Sequence, residues 1–469
     1  MTTQRSRRGG AATRSGARTA APGGGIPRSL VLLLAAACGL IVANNYYAQP
    51  LLPDLQETFG VPSAVIGLCV TLNQLGYAAG LVLVVPLGDL LSRRRLIVPM
   101  LAADAVILAA AAAAPGAWAL IAALTLAGVT GSVINILIPM TATLADDTQR
   151  GRVVGTLMTG LLLGVLLART VAGALDELAG WRLVYATAAV LIAALTLTLY
   201  RKLPDLPVPP GSSYPRLLAS VASLVRTEPF LRRRMAIGAA GFAAFQLLWT
   251  ALPFMLVEEP YGYSPAVIGL FGLLGAAGAL CAQPAGRLQD RGLAHTATGL
   301  LLTAIVASWA LLAGHEILAL VIAGILLLDV GVQGVHVLNQ ARIYGYRPQI
   351  RSRVTTAYMS AYFLGGSAGG TLAVTLYPRL GWPGVCAVGG ALGLTAIALW
   401  ATERVRTAPP AEPAPPAEPA PPSEPAPPAP PAPPAPPAGP SEPAPPAGPS
   451  EPAGPAGRDT QEGPAPHHG

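Results

Sequence analysis

Between residues 317 and 341 an apolar run carries Asp329, Gln333, His336 and Gln340 at intervals of four, three and four. On an α-helix that spacing places all four on one face. A carboxylate, an imidazole and two amides in line can hold a polar solute or pass a proton. Asp329 lies about 12 residues from either end of the run, so ~18 Å deep at 1.5 Å per residue if the run crosses a bilayer. An ionisable group at that depth lines a cavity or pairs with another polar group. The stripe is the first candidate for substrate contact or proton coupling; hydrogen bonding between helices is the alternative.

A second ionisable group, Arg169, lies inside the run 153–175. It needs a carboxylate, a carbonyl or water, and binding a substrate anion and structural pairing are equally open to it. Asp104 is badly placed to pair with it, and a structural role suits Asp104 better. Asp176 shares the face of Arg169, and Asp329 is a candidate partner across a cavity. Amides and aromatics on other runs complete the candidate pathway: Asn44, Asn45, Tyr46, Tyr47, Asn73, Gln74, Tyr77, Asn135, Gln246, Trp249, Tyr358 and Tyr362. Such groups suit a small amphipathic organic solute, although each alone is as compatible with packing. Metal chemistry has no support. His315-Glu316 begins an HExxH pattern, but Ala319 stands where the second His is needed, and the four Cys lie singly inside apolar runs. No cofactor is implied.

These residues need membrane-spanning helices to position them. The chain of 469 residues is 52% hydrophobic and only 11% charged, against roughly 25% charged in soluble domains. Twelve runs have about the length that crosses ~30 Å of hydrocarbon: 30–52, 63–87, 96–114, 117–144, 153–175, 183–200, 235–257, 264–286, 296–313, 317–341, 354–378 and 382–400. The expectation is an all-α membrane protein with twelve transmembrane helices. The first run is read as an uncleaved span, since its apolar pattern continues beyond Cys38.

Of the 30 Lys and Arg, 27 fall in the termini and one alternate set of loops, against Arg182 and Arg379 in the other set. By the positive-inside rule both termini are cytoplasmic and the protein is a multi-pass protein of the cell inner (plasma) membrane. Because the cations lie in the gaps between runs, the net charge of +7 does not indicate a nucleic-acid partner. The expected organisation is a disordered basic arm (1–28), an N-terminal six-helix half (29–200), a cytoplasmic loop (201–234), a C-terminal six-helix half (235–402) and a disordered Pro/Ala-rich tail (403–469).

The two halves match at a nearly constant offset of 201: Asp89/Asp290, Arg150/Arg351, Met158/Met359, Gly164/Gly365 and Trp181/Trp382. AVIGL occurs at 64–68 and again at 266–270. This duplication predicts two pseudo-symmetric halves with a site near the midplane between them. The turn PLGDLLSRRRLI (86–97) and the segment Gly286-Arg287-Leu288-Gln289-Asp290-Arg291-Gly292 resemble the Gly-x-x-x-Asp-Arg-x-Gly-Arg-Arg loop of the major facilitator superfamily. Val85, Leu90 and Ser92 depart from that pattern in the first copy. The segments NNYYAQPLLP, GLLLGVLLART and GWRLVYA resemble a bacterial drug-efflux-like branch of the same family. The resemblance implies a cytoplasmic gate formed by Asp89, Arg93, Arg94, Gly286, Asp290 and Arg291. The fifth span has Gly164-Val165 where the antiporter motif has Gly-Pro, and the fourth lacks a buried Arg; both shift the reading towards a facilitator-type transporter.

The expected function is alternating-access transport of a small organic solute by a monomer, with export the favoured direction and proton coupling an open option. Uptake symport or uniport on the same fold is the nearest alternative, and a membrane scaffold acting through its tail is another. ATP-driven transport by this chain is disfavoured, since its single Lys, Lys202, precedes Leu203 rather than the Ser or Thr of a phosphate-binding loop. A membrane enzyme is disfavoured too, since only five His are present and two of them lie in the tail.

Overall fold

The computed structural model describes residues 26–205, 213–275, 288, 291–346 and 351–403, without the side chains of 89, 147, 148, 344–346, 351 and 352. Fifteen α-helices follow one another among these residues: α1 (Arg28–Ala43), α2 (Ala48–Phe59), α3 (Ser63–Ile66), α4 (Leu68–Leu83), α5 (Arg93–Ala112), α6 (Ala117–Gly131), α7 (Ile134–Leu144), α8 (Asp147–Ala179), α9 (Trp181–Lys202), α10 (Tyr214–Thr227), α11 (Pro229–Val257), α12 (Pro265–Leu270), α13 (Ala294–Leu312), α14 (Leu318–Tyr346) and α15 (Arg351–Ala401). Single 3₁₀ turns follow α4 (Val85–Asp89) and α12 (Phe271–Gly275).

Ten of the described helical stretches are long and apolar enough to cross a membrane. The distribution of side chains suits lipid rather than water. Val106, Leu178 and Leu300 are 70%, 76% and 68% exposed on the outside, while Asp104, Arg169, Gln246 and Asp329 are buried. Apolar surface turned outward and polar groups turned inward are what a hydrocarbon solvent selects.

One of the ten stretches, Arg353–Ala401, is broken at Gly381, whose φ of 60° and ψ of −166° end one helix and start another. Gly180, 201 residues earlier, has φ 77° at the junction of α8 and α9. Each of these glycines precedes a buried Trp, Trp181 or Trp382. A β-carbon is strained at positive φ, so the same Gly-Trp corner is built twice.

Several limits differ from the sequence expectation. The first span continues to Phe59 rather than ending near 52, and α8 runs from 147 to 179 rather than 153 to 175. Hydropathy finds the apolar centre of a helix, while polar turns extend it beyond the hydrocarbon. The linker 201–234 carries α10, whose Leu217 and Leu224 are buried, and its last residues, from Pro229, already belong to α11.

Two spans are interrupted near their centres. Between α1 and α2, Asn45 and Tyr46 donate their backbone N–H groups three residues back, to Val42 and Ala43. Between α6 and α7, Ser132 and Val133 do the same towards Val129 and Thr130. Such 3₁₀ stretches within α-helices loosen the backbone ladder. Asp104 on α5 meets both interruptions: Oδ2 accepts from Asn44 Nδ2 at 2.8 Å and Oδ1 from Thr130 Oγ1 at 2.6 Å.

Helices 28–202 and 229–401 meet closely on one side. The β-carbon of an alanine at Gly173 would lie 2.2 Å from the Pro265 carbonyl oxygen, so α8 and α12 touch backbone to backbone. Thr170 Oγ1 donates to Gly269 O at 3.0 Å, Ser264 Oγ to Glu177 Oε2 at 2.8 Å, and Ser367 Oγ to Thr71 O at 3.0 Å. These contacts run from the middle of the spans to the end opposite Arg93–Arg95.

Candidate functional site

Arg169 on α8 is 3% exposed, as its place inside a span requires. The sequence left a carboxylate, a carbonyl or water open as its partner. The structure gives it an amide carbonyl and aromatic faces: Nε donates to Gln49 Oε1 at 2.7 Å, and the guanidinium lies 4.0 Å from the ring centre of Trp249 and 4.8 Å from that of Tyr46. A desolvated guanidinium over an indole gains about 2 kcal/mol, so this cradle replaces part of the lost hydration. Gln49 is itself held from α11, since its Nε2 donates to Gln246 Oε1 at 3.1 Å. Neither Asp104 nor Asp176 is a partner of Arg169: Asp104 is taken by Asn44 and Thr130, and no ion pair to Asp176 forms among the described residues.

Asp329 on α14 is 1% exposed. Its Oδ1 accepts from Trp249 Nε1 at 3.3 Å. One indole thus meets the Arg169 cation with its face and the Asp329 carboxylate with its N–H. Arg169, Asp329 and Gln333 line one cavity with Phe245, Gly272 and Gly275 among the rest of its wall. Its volume of about 20 Å³ takes roughly one water, which needs ~10–15 Å³ measured in the same way. Arg169 Nη2 and Asp329 Oδ2 are buried there without a hydrogen-bond partner among the described residues. An alanine β-carbon at Gly275 would meet Asp329 Oδ2 at 3.2 Å, so the absent side chain at 275 leaves that oxygen its space.

The polar stripe on α14 divides in two. Asp329 and Gln333 reach the cavity. His336 and Gln340 tie α14 to α15: Gln340 Nε2 lies 3.0 Å from His336 Nε2, His336 Nδ1 lies 3.2 Å from Tyr358 Oη, and Gln340 Nε2 also approaches Met359 Sδ. Tyr362 stacks on Phe242 at 4.0 Å and faces His336 at 4.4 Å, while Phe363 meets Tyr77 at 4.1 Å.

The other candidates are dispersed. Asn73 Nδ2 donates to the Leu124 carbonyl and so fastens α4 to α6. Asn135 Nδ2 donates to Tyr77 Oη. Asn44 serves Asp104, while Asn45, Tyr47 and Gln74 are buried apart from the cavity lining. Gln49 and Phe245 were missed in the sequence. Gln49 falls one turn after Tyr46 in the quoted segment NNYYAQPLLP, and that spacing was the available signal.

At the expected gate, Arg93 Nη1 donates to Thr143 Oγ1 at 3.4 Å and Arg94 Nη2 to the Tyr200 carbonyl at 2.6 Å. Both contacts stay within helices 28–202. Arg291 is exposed; Gly286 and Asp290 lie outside the described residues, as does the side chain of Asp89.

The family model described as Major Facilitator Superfamily matches residues 34–298 and 281–447. The chain belongs to this superfamily. It is 46% identical over 375 residues to the putative uncharacterized transporter YgaY of Escherichia coli (strain K12), covering 79% of this chain and 95% of that one. It is 35% identical over 388 residues to the probable transporter SCO4007 of Streptomyces coelicolor, covering 81% and 89%. In fold it is similar to the human organic anion transporter MFSD10 (TETRAN), with a TM-score of 0.62 at 19% identity over 80% of this chain and 100% of that one. It is therefore a multi-pass membrane transporter of small solutes.

Proposed function

We propose that this major facilitator is a secondary transporter that carries a small organic solute by alternating access of two six-helix halves about the Arg169–Asp329 cavity. The observation that carries this reading is the meeting of Arg169 on α8 with Trp249 on α11 and Asp329 on α14, one group from before the linker and two from after it. A site made jointly by both halves is one that their rocking can expose to either side.

Twelve spans are supported by the ten stretches, by the break at Gly381 that divides the last of them, and by the apolar segment Pro265–Gly275. The contacts around Gly173 and Glu177 close one end, and the Asp89/Arg93/Arg94 and Gly286/Asp290/Arg291 turns are proposed to latch the other when the halves rock. Arginine distribution supports an inner-membrane orientation with both termini cytoplasmic. Export is the proposed direction, on the likeness to the efflux branch. Asp329 is the proposed group through which a proton gradient would act, and a monomer is the proposed working unit.

The test is a solute screen in everted membrane vesicles, with and without an imposed pH gradient, on wild type and Asp329→Asn. Accumulation that follows the gradient and is lost in the variant supports the reading. A transported solute whose flux is unaffected by Asp329→Asn overturns the assignment of Asp329.

A further inference from the structure

We infer that the Arg169–Asp329 cavity takes a zwitterionic solute, one molecule bearing both a carboxylate or similar anion and an ammonium group. The inference rests on the cavity being the transport site. Three observations lead to it.

The first is that, among the described residues, Arg169 and Asp329 are the only charged ones lining the cavity; apart from Gln333, the other described lining residues are apolar. A solute of single charge would leave the cavity with a net charge in a desolvated place, and an unbalanced buried charge is strongly unfavourable. A solute with both charges keeps the cavity neutral.

The second is that the two groups form no ion pair with each other among the described residues. Each is held by a neighbour that leaves a contact point over. Gln49 and Trp249 hold Arg169 while Nη2 has no partner among the described residues, and Trp249 holds Asp329 through Oδ1 while Oδ2 has none among them either. The indole between them keeps the charges apart, where a direct pair would consume both. A guanidinium N–H donor suits an anion, and a carboxylate acceptor suits an ammonium.

The third is the character of the wall. Phe245 lines the cavity and Trp249 borders both charged groups, so the body of the solute meets apolar and aromatic surface. In this conformation the cavity admits about one water, and taking up a solute requires the helices around it to move apart.

The experiment uses the full-length protein purified in detergent and three matched trios: phenylalanine, leucine and methionine, each with its amide and its N-acetyl form. Within a trio the body is constant, and the charge runs from zwitterion to cation to anion. Binding is read as the shift of the thermal unfolding midpoint and by tryptophan fluorescence. The expected result is binding of at least one parent amino acid with about tenfold or greater preference over both derivatives. Asp329→Asn is expected to move the preference towards the N-acetyl form, and Arg169→Gln towards the amide. The Asp329 variant keeps the test open if loss of Arg169 prevents folding.

Wild-type preference for an N-acetyl form or an amide, with loss on Arg169 or Asp329 substitution, overturns the zwitterion and leaves the cavity reading standing. Binding of amino acids that neither substitution alters overturns the cavity reading itself. No binding by any of the nine compounds overturns the amino-acid-like form proposed here.

Discussion

Arg169 and Asp329 line one buried cavity without pairing, because the Trp249 indole offers its face to the first and its N–H to the second. The arrangement depends on the planar guanidinium, which alone can lie over the ring and direct Nε at Gln49. Lysine keeps the charge but has neither the plane nor the fork. Arg169→Lys is therefore expected to lower solute transport about thirtyfold, from a loss of roughly 2 kcal/mol of cation–π interaction. Initial rates in proteoliposomes check it, and retention of wild-type rates by the lysine variant would remove the aromatic cradle from the account.

Closure at the Glu177 end depends on the bare backbone at Gly173. A leucine there has no room, since even a β-carbon would stand 2.2 Å from the Pro265 carbonyl oxygen. Gly173→Leu is expected to hold α8 and α12 apart and to slow transport about tenfold or more. Spin labels on the exposed residues Leu178 and Ile317 should report a longer mean distance in the variant. An unchanged distance would mean that this contact does not set the closed state.

Much of this was legible in the sequence, and the parts that were not share a cause. Apolar runs record the contact of each segment with lipid, which is local in sequence. Arg169 and Asp329 were visible because a charge inside an apolar run is costly anywhere. Trp249 and Tyr46 stood among the pathway candidates, but nothing in the sequence showed that they face these charges. Gln49 stands 120 residues from Arg169, and its amide carries no sign that it serves a cation. Likewise nothing in the spacing of His336 and Gln340 distinguished a cavity lining from the contact they make with Tyr358 and Met359. Asp104 was assigned a structural role, and its two buried hydrogen bonds are of that kind.

Asp104 gives a separable prediction for stability. Asp104→Ala removes the acceptor of both Asn44 and Thr130 at the two interrupted spans. An expected loss of about 1–2 kcal/mol follows from leaving the buried Asn44 amide unsatisfied, since Thr130 Oγ1 also reaches the Ala127 carbonyl at 3.0 Å. Asp104→Asn should cost much less. Its amide oxygen can accept from Thr130, and Asn44, whose Oδ1 has no partner, can turn to accept from the new amide. Thermal unfolding in detergent compares the two, and equal destabilisation would contradict the exchange of partners.

A pH dependence is expected at the end of α15. Glu403 accepts from the buried Arg234 and from Arg342 at 3.2 Å, and lies 3.5 Å from His295. Burial alone would raise its carboxyl pKa, but the Arg234 hydrogen bond and the charges of Arg234, Arg342 and His295 outweigh burial and hold it below the usual value of 4.5. For a group depressed in the folded state, the stability contribution is present above the unfolded value and is lost as pH falls through the folded one. Unfolding midpoints should thus fall more steeply below about pH 4.5 in wild type than in Glu403→Gln. Parallel curves would show that Glu403 contributes nothing through its charge.

The most direct test of the central claim is solute counterflow in proteoliposomes containing the purified full-length chain, loaded with a solute that wild type transports. Wild type is predicted to draw labelled solute transiently above its equilibrium level, as a carrier with one alternately exposed site must. Arg169→Gln is predicted to show less than about one tenth of that overshoot. Counterflow by Arg169→Gln at the wild-type level would contradict the placement of the transport site at the Arg169–Asp329 cavity.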